Sequence, residues 1–218
     1  LKDEELRLYL GVLFLAWLGM VFSLSSKGDH GLLESARYAM FQTASIGTST
    51  GYASADYAVW PSLSLLILLF LMIVGASAGS TSGGLKILRL KIAYEIVRQE
   101  IGRIVQPRSV RSIRMNGEVV PLSKVQVVLG MLSAWAVSAV VGTTLIAIFE
   151  PNLDLESVLS LSLSCLGNTG PALGTYGPTA TWASMNAPTM LITTLMMWLG
   201  RLEILTVLVV FNPRAWRL

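Results

Sequence analysis

Charged side chains are scarce in this 218-residue chain: Asp, Glu, Lys and Arg make up 13% of it. A soluble domain carries about 25%, so a bilayer rather than water is the solvent expected for most of the surface. One cysteine, Cys165, excludes an internal disulfide framework and says nothing of compartment. The single histidine, His30, excludes a His cluster, and no metal-ligating set is visible. There is no Ser/His/Asp set, no pair of buried carboxylates and no dinucleotide motif, so neither enzyme chemistry nor a cofactor is expected. No secretory signal is visible, since Leu1-Lys2-Asp3-Glu4-Glu5 is acidic and amphipathic. With no initiator Met, the chain is expected to be part of a longer or processed polypeptide.

Long apolar runs are what the chain has instead. Hydrophobic residues make up 53%, and the mean hydropathy is +0.64. Leu8–Ser26, Tyr57–Leu85, Val125–Phe149 and Ser157–Gly200 contain no Asp, Glu, Lys or Arg. A spanning helix needs about 20 apolar residues, so the first three runs fit one helix each. The fourth is interrupted by Gly167–Gly177 and Pro178, which suggests a short helix, a loop, and a full helix from about Ala187 to Phe211. Lys and Arg cluster between Lys86 and Lys124 and recur at Arg214 and Arg217, while Lys27 and Arg37 lie on the other side. Positive charge marks the cytoplasmic face, so both termini and the central connection are expected there. A basic run between membrane spans gives no reason to expect nucleic acid.

The chain reads twice through one plan: spanning helix, short segment, glycine-containing loop, spanning helix. The first copy runs Leu8–Ser26, Leu33–Ser45, Ile46–Ser54, Pro61–Gly79. The second runs Val125–Phe149, Leu155–Leu166, Gly167–Gly174, Ala187–Phe211, and Leu33-Glu34-Ser35 matches Leu155-Glu156-Ser157. Short segments of about 12 residues cannot cross a bilayer and suit re-entrant helices. Non-helical backbone at membrane depth survives only where protein or a wet cavity surrounds it. A helix re-entering from outside aims its partially negative C-terminus at the membrane centre. The loop then climbs back with carbonyls available to replace the hydration shell of a cation.

Ile46-Gly47-Thr48-Ser49-Thr50-Gly51-Tyr52 and Gly167-Asn168-Thr169-Gly170 are the candidate filter loops. Superposing the short helices sets Ile46-Gly47-Thr48 level with Asn168-Thr169-Gly170; superposing the later glycines sets Ser49-Thr50-Gly51 there. The helix-based match is preferred, because the helix fixes where the loop starts. It places K⁺ at Ile46 and Gly47 opposite Asn168 and Thr169, with Gly51 nearer the outer mouth. An ordinary extracellular turn is the plainer reading, and a non-transporting four-span scaffold or assembly protein is the competing function. A two-pore-type K⁺ channel would show Thr-x-Gly-Tyr/Phe-Gly in both loops, and the second loop lacks it.

Phe41-Gln42 through Asp56-Tyr57, Trp60-Pro61 and Gly75–Lys86 resemble the third repeat of the Trk/Ktr/HKT potassium-transporter superfamily. Gly167–Gly174 and Gly200-Arg201-Leu202-Glu203-Ile204-Leu205-Thr206 resemble its fourth. Within the superfamily the chain is most similar to the C-terminal half of bacterial TrkH-like subunits. The resemblance implies an all-α membrane fold of two tandem helix–pore helix–loop–helix repeats, half of a four-repeat pseudo-fourfold pore. The units would be 1–90, a basic cytoplasmic connection 91–123, and 124–218. It implies a pore-forming K⁺-translocating subunit in the cell (inner) membrane, with K⁺ as the transported ion. Its partners would be the two missing repeats, a second copy in a homodimer, membrane lipid and a cytoplasmic TrkA-like nucleotide-binding ring.

Gly75–Gly84 should break its helix, since each glycine costs about 1 kcal/mol there. Gly75, Gly79 and Gly83, four apart, also fit close helix packing. The resemblance makes Gly75, Gly79, Gly83 and Gly84 part of an intramembrane loop obstructing the pore. Arg201 is costly in a membrane unless paired or hydrated; the family places an Arg here, facing the pore below the filter. Glu203 is expected to pair elsewhere. Asp56, Glu150, Asp154 and Glu156 lie on the outer side, Glu34 and Glu156 near short-helix starts. Trp60, Trp182 and Trp216 suit membrane interfaces; Trp17, Trp135 and Trp198 suit packing.

Overall fold

The computed structural model describes residues 3–28, 31–106, 113–202, 204–210 and 216. Lys2, His30, Glu203, Phe211, Arg214 and Arg217, named above, lie outside them, as do Arg108 and Arg111 of the basic run.

Helix α1 (Glu4–Lys27) starts where the Asp3 carboxylate accepts the Glu5 N–H at 2.8 Å. Glu4 and Glu5 in its first turn and Lys27 in its last complement the helix dipole. Gly28, with φ +80°, ends it in the left-handed conformation. Its 24 residues give about 36 Å, enough to cross the hydrocarbon core. Helix α5 (Leu122–Phe149) is of the same kind. The re-entrant candidates follow each of these: α2 (Leu32–Gly47) after α1, and α6 (Leu155–Gly167) after α5. At 16 and 13 residues, both are too short to span.

Two expected spanning helices are broken. Helix α3 (Ser62–Val74) stops at Gly75, short of the expected Gly79, and the chain re-enters a helix only at α4 (Ile87–Val105). The expected helix from Ala187 to Phe211 is α7 (Ala187–Arg201) and α8 (Ile204–Val210), divided at Leu202. The described residues of the basic connection are ordered into secondary structure. They contain α4 and a hairpin of β1 (Arg114–Met115) and β2 (Glu118–Val119), the only strands among the described residues. Asn116 (φ +49°) and Gly117 (φ +85°) turn it, the left-handed pair that a two-residue hairpin requires. The hairpin sits under α1, with the Asn116 side-chain oxygen accepting the Glu4 N–H at 3.0 Å, and Lys91 of α4 paired with the Glu4 carboxylate.

Each repeat packs its own core, and the two cores exchange residues. Met20, Ala39, Ile46, Leu68, Leu71 and Met72 gather in the first. Ile146, Val158, Leu161, Cys165, Leu166 and Met196 gather in the second. Leu173, from the second loop, is buried in the first core, while Leu85, from the chain after α3, is buried in the second. The halves are thereby locked side by side, with the C-termini of α2 and α6 brought together. Phe22 and Leu15 of α1, Val140 of α5 and Leu191 of α7 stay exposed, as lipid-facing or subunit-facing residues do. Trp60, expected at an interface, is buried with its ring 6.1 Å from that of Tyr57. Trp198, expected to pack, is 41% exposed.

Candidate functional site

The two short helices end alike. In each, the last amides fold back onto the final turn: Ser49 N–H to Ile46 C=O and Thr50 N–H to Ser45 C=O in the first, Asn168 N–H to Cys165 C=O and Thr169 N–H to Ser164 C=O in the second. Ser49 (φ +55°) and Asn168 (φ +51°) are the left-handed residues of these caps, and Gly51 (φ +80°) and Gly170 (φ +103°) follow two positions later. Backbone conformation therefore matches Ser49-Thr50-Gly51 with Asn168-Thr169-Gly170. The preferred superposition on helix starts gives a different register, and the reason is physical. The extra residues lie in the helix, since α2 is 16 residues long and α6 is 13. The caps, not the starts, set where each loop leaves.

Ile46 and Gly47 are the last helical residues of α2, both buried. The Ile46 carbonyl accepts from Ser49 N–H, and the Gly47 carbonyl accepts from the Tyr9 hydroxyl at 3.0 Å. The carbonyls of Thr48, Ser49, Thr50 and Gly51, and of Asn168, Thr169 and Gly170, receive no donor among the described residues. The Thr48 hydroxyl is turned back on the Ala44 carbonyl at 2.8 Å and meets the Thr50 hydroxyl at 2.7 Å. Gly51 lies against the Thr169 carbonyl so closely that a Cβ there would overlap it, with Pro171 Cδ at 3.1 Å. The two loops thus touch at Gly51 and Thr169.

Serines hold the loops from behind, a role the sequence reading missed. The Ser45 hydroxyl donates to the Tyr52 carbonyl at 2.5 Å. Ser157 and Ser160 accept the Thr175 and Leu173 N–H groups, each at 2.9 Å. The signal was available: α6 carries Ser157, Ser160, Ser162 and Ser164 inside an apolar helix, all buried. Buried hydroxyls need partners, and the returning loop supplies them for Ser157 and Ser160, while Ser162 donates to the Ala139 carbonyl of α5 at 3.2 Å.

The stretch 75–86 forms a loop with a closed neck. Leu85 N–H bonds Ile73 C=O at 3.1 Å and Ile87 N–H bonds Ala76 C=O at 3.2 Å. Gly75 (φ +64°) and Gly84 (φ +79°) face each other across the neck, where a Cβ on Gly75 would come within 2.5 Å of the Gly83 carbonyl. The helix-packing reading of Gly75, Gly79 and Gly83 fails, because none of them lies in a helix. Gly79 has open space around it, so Gly79→Ala is expected to leave thermal stability near wild type. A drop in the unfolding midpoint on a melting curve would contradict the open geometry.

Loop, filter candidates and Arg201 form one assembly. Gly83 lies against the Gly167 carbonyl, which a Cβ would approach to 2.5 Å, and Gly84 N–H faces the Leu166 carbonyl at 3.4 Å. Arg201 donates from Nη1 to the Thr81 carbonyl. Lys86, Arg89, Trp135, Gly200 and Arg201 line a cavity of about 160 Å³ beside the loop. Gly200 lets α7 touch the Leu166 carbonyl and the Asn168 side chain.

The outer acids cap backbone. Asp56 accepts Ala58 N–H at 3.0 Å, and Glu150 accepts Asn186 N–H at 2.8 Å. Asp154 caps α6, and the Ser157 hydroxyl at 2.6 Å holds its carboxyl below the usual carboxylate range. Glu34 and Glu156 lie in the first turns of α2 and α6, as expected, but the hydrogen-bonding cap of α6 is Asp154.

Comparison with known proteins follows this geometry closely. Residues 20–217 match the family model described as "TrkH: Cation transport protein". The chain is 32% identical to "Trk system potassium uptake protein TrkH" of Escherichia coli K12, covering 99% of this chain and 44% of that protein. It is also 32% identical to "Trk system potassium uptake protein TrkI" of Halomonas elongata, covering 100% and 44%. The crystal structure of the potassium transporter TrkH from Vibrio parahaemolyticus superposes with a TM-score of 0.89 at 31% identity, over 99% of this chain and 45% of that one. The chain therefore spans less than half the length of these relatives.

Proposed function

Because the chain belongs to the TrkH family of cation transport proteins, we propose that it forms half of the K⁺-conducting pore of a Trk-type uptake system. The observation that carries this is the row of donor-free carbonyls at Thr48–Gly51 and Asn168–Gly170, set at the C-termini of two helices too short to span. A cation shedding water needs such oxygens, and the negative helix ends favour it. Within the expected filter set, the weight falls on Thr48, Ser49, Thr50, Gly51, Asn168, Thr169 and Gly170. Ile46 and Gly47 serve as the helix end that aims them.

Two repeats supply two sides of a ring, and two further repeats complete it; the share of the relatives that this chain spans supports that reading. The third-type repeat would occupy 1–90 and the fourth-type repeat 124–218, joined by 91–123. Loop 75–84 closes the pathway beneath the filter, with Arg201 on its Thr81 carbonyl. The basic helix α4 and its hairpin would face the cytoplasm with both ends of the chain and receive a TrkA-like nucleotide-binding ring. A second copy would bind through exposed apolar helix faces.

Thr48→Val and Gly170→Ser, made separately in the full-length protein, test the filter. Gly170 has room for a side chain, but its φ of +103° is strained for any residue other than glycine. Both variants are expected to reduce K⁺/Na⁺ discrimination in proteoliposome flux assays. Unchanged discrimination in both would favour the scaffold.

A further inference from the structure

Ser82 is the point at which the loop under the filter takes hold of the filter itself. Its hydroxyl is 2.7 Å from the Ser49 hydroxyl, accepts the Ala76 N–H at 3.3 Å and donates to the Gly83 carbonyl at 3.1 Å. A hydroxyl has one proton and two acceptor sites. With that proton on Gly83, Ser49 must be the donor in the Ser49–Ser82 bond. Ser49 is therefore held from the loop side by an oxygen that is itself fixed to both strands of the loop's neck.

Ser49 needs such a hold. It sits at φ +55°, a region that glycine and asparagine enter readily and serine does not. The matching residue of the other repeat solves the problem differently. Asn168, at φ +51°, is of a type that tolerates this conformation, and its side-chain NH₂ donates to the Met197 carbonyl of α7 at 3.2 Å. In both repeats the left-handed residue opening the loop is tied by its side chain to the chain segment beneath. In the first repeat that segment is the loop proposed to close the pathway.

We propose that Ser82 is a positioning residue for ion selectivity: by accepting from Ser49 it holds the first filter loop in register, and displacement of loop 75–84 releases it. This rests on the pore reading above. Gate and filter then form one mechanical unit, in which moving Thr81 and Ser82 loosens the carbonyls of Ser49 and Thr50.

The test is a cycle of variants in the full-length protein, read as the K⁺/Na⁺ flux ratio in proteoliposomes. Ser82→Ala is expected to lower that ratio about five-fold, the scale of one neutral hydrogen bond, while the thermal unfolding midpoint stays near wild type. Ser82→Thr keeps the acceptor and should restore the ratio. Ser49→Gly accepts the left-handed backbone unaided, so adding Ser82→Ala to Ser49→Gly should change the ratio no further. An unchanged ratio in Ser82→Ala, or an equal drop in the Ser49→Gly background, overturns the proposal. Thr48→Val and Gly170→Ser serve as the reference. If they shift the ratio and Ser82→Ala does not, the positioning role alone fails; if none of the three does, the pore reading fails as well.

Discussion

Gly51→Ala in the full-length protein is expected to abolish K⁺ flux, the largest loss of any single methyl added to either loop. Two independent costs converge on this position. The backbone sits at φ +80°, where an L-residue pays roughly 1 kcal/mol relative to glycine. The added Cβ would also overlap the Thr169 carbonyl, with Thr169 C at 3.3 Å and Pro171 Cδ at 3.1 Å. The obstructing atoms are backbone and a proline ring, so no side-chain rotation relieves the overlap. Either Gly51 or Thr169 must move, and both carry carbonyls assigned here to the ion. Gly170→Ala provides the graded control: its φ of +103° is equally unfavourable, but a Cβ meets open space. Flux measured in proteoliposomes should therefore fall in the order wild type, Gly170→Ala, Gly51→Ala. Wild-type flux through Gly51→Ala would show that the two loops do not meet in the conducting state.

The duplicated plan, the two short helices and the glycine loops were readable because each leaves a mark in composition: a charge-free run, a length below a membrane span, a cluster of Gly and hydroxyl residues. Register was not, because it depends on where α2 ends. The Leu33-Glu34-Ser35 and Leu155-Glu156-Ser157 match aligns the helix starts to within one residue, and the greater length of α2, 16 residues against 13 in α6, then carries the alignment off the caps. The break after Arg201 also left little trace, since Leu202 is a good helix former. Asn116-Gly117 is the opposite case. It is a strong local hairpin signal, set in a stretch whose composition is dominated by basic charge. Ser82 could not have been singled out from its neighbours Ser77 and Ser80, since only the fold says which serine of the loop meets Ser49.

Arg201→Ala is expected to raise flux, by up to about ten-fold, the scale of a charge-assisted hydrogen bond discounted for partial exposure. The guanidinium donates to the Thr81 carbonyl at the tip of loop 75–84, and it is the last residue of α7. It therefore fastens the loop to the second repeat at one point, while Gly84 N–H on Leu166 C=O fastens it at another. Removing the side chain should favour the displaced loop. It would also remove a positive charge from the proposed cation path. Arg201→Lys separates these effects, because lysine keeps the charge but is a compact point donor without the planar fork. If fastening dominates, Arg201→Lys conducts like Arg201→Ala; if the electrostatic barrier dominates, it conducts like wild type. Because Ser82 holds the filter, the released loop should also discriminate less, so the K⁺/Na⁺ ratio of Arg201→Ala is expected to fall as its flux rises. Unchanged flux in Arg201→Ala would leave the arginine a packing role only. Raised flux with an unchanged ratio would show that the loop opens without pulling on Ser49.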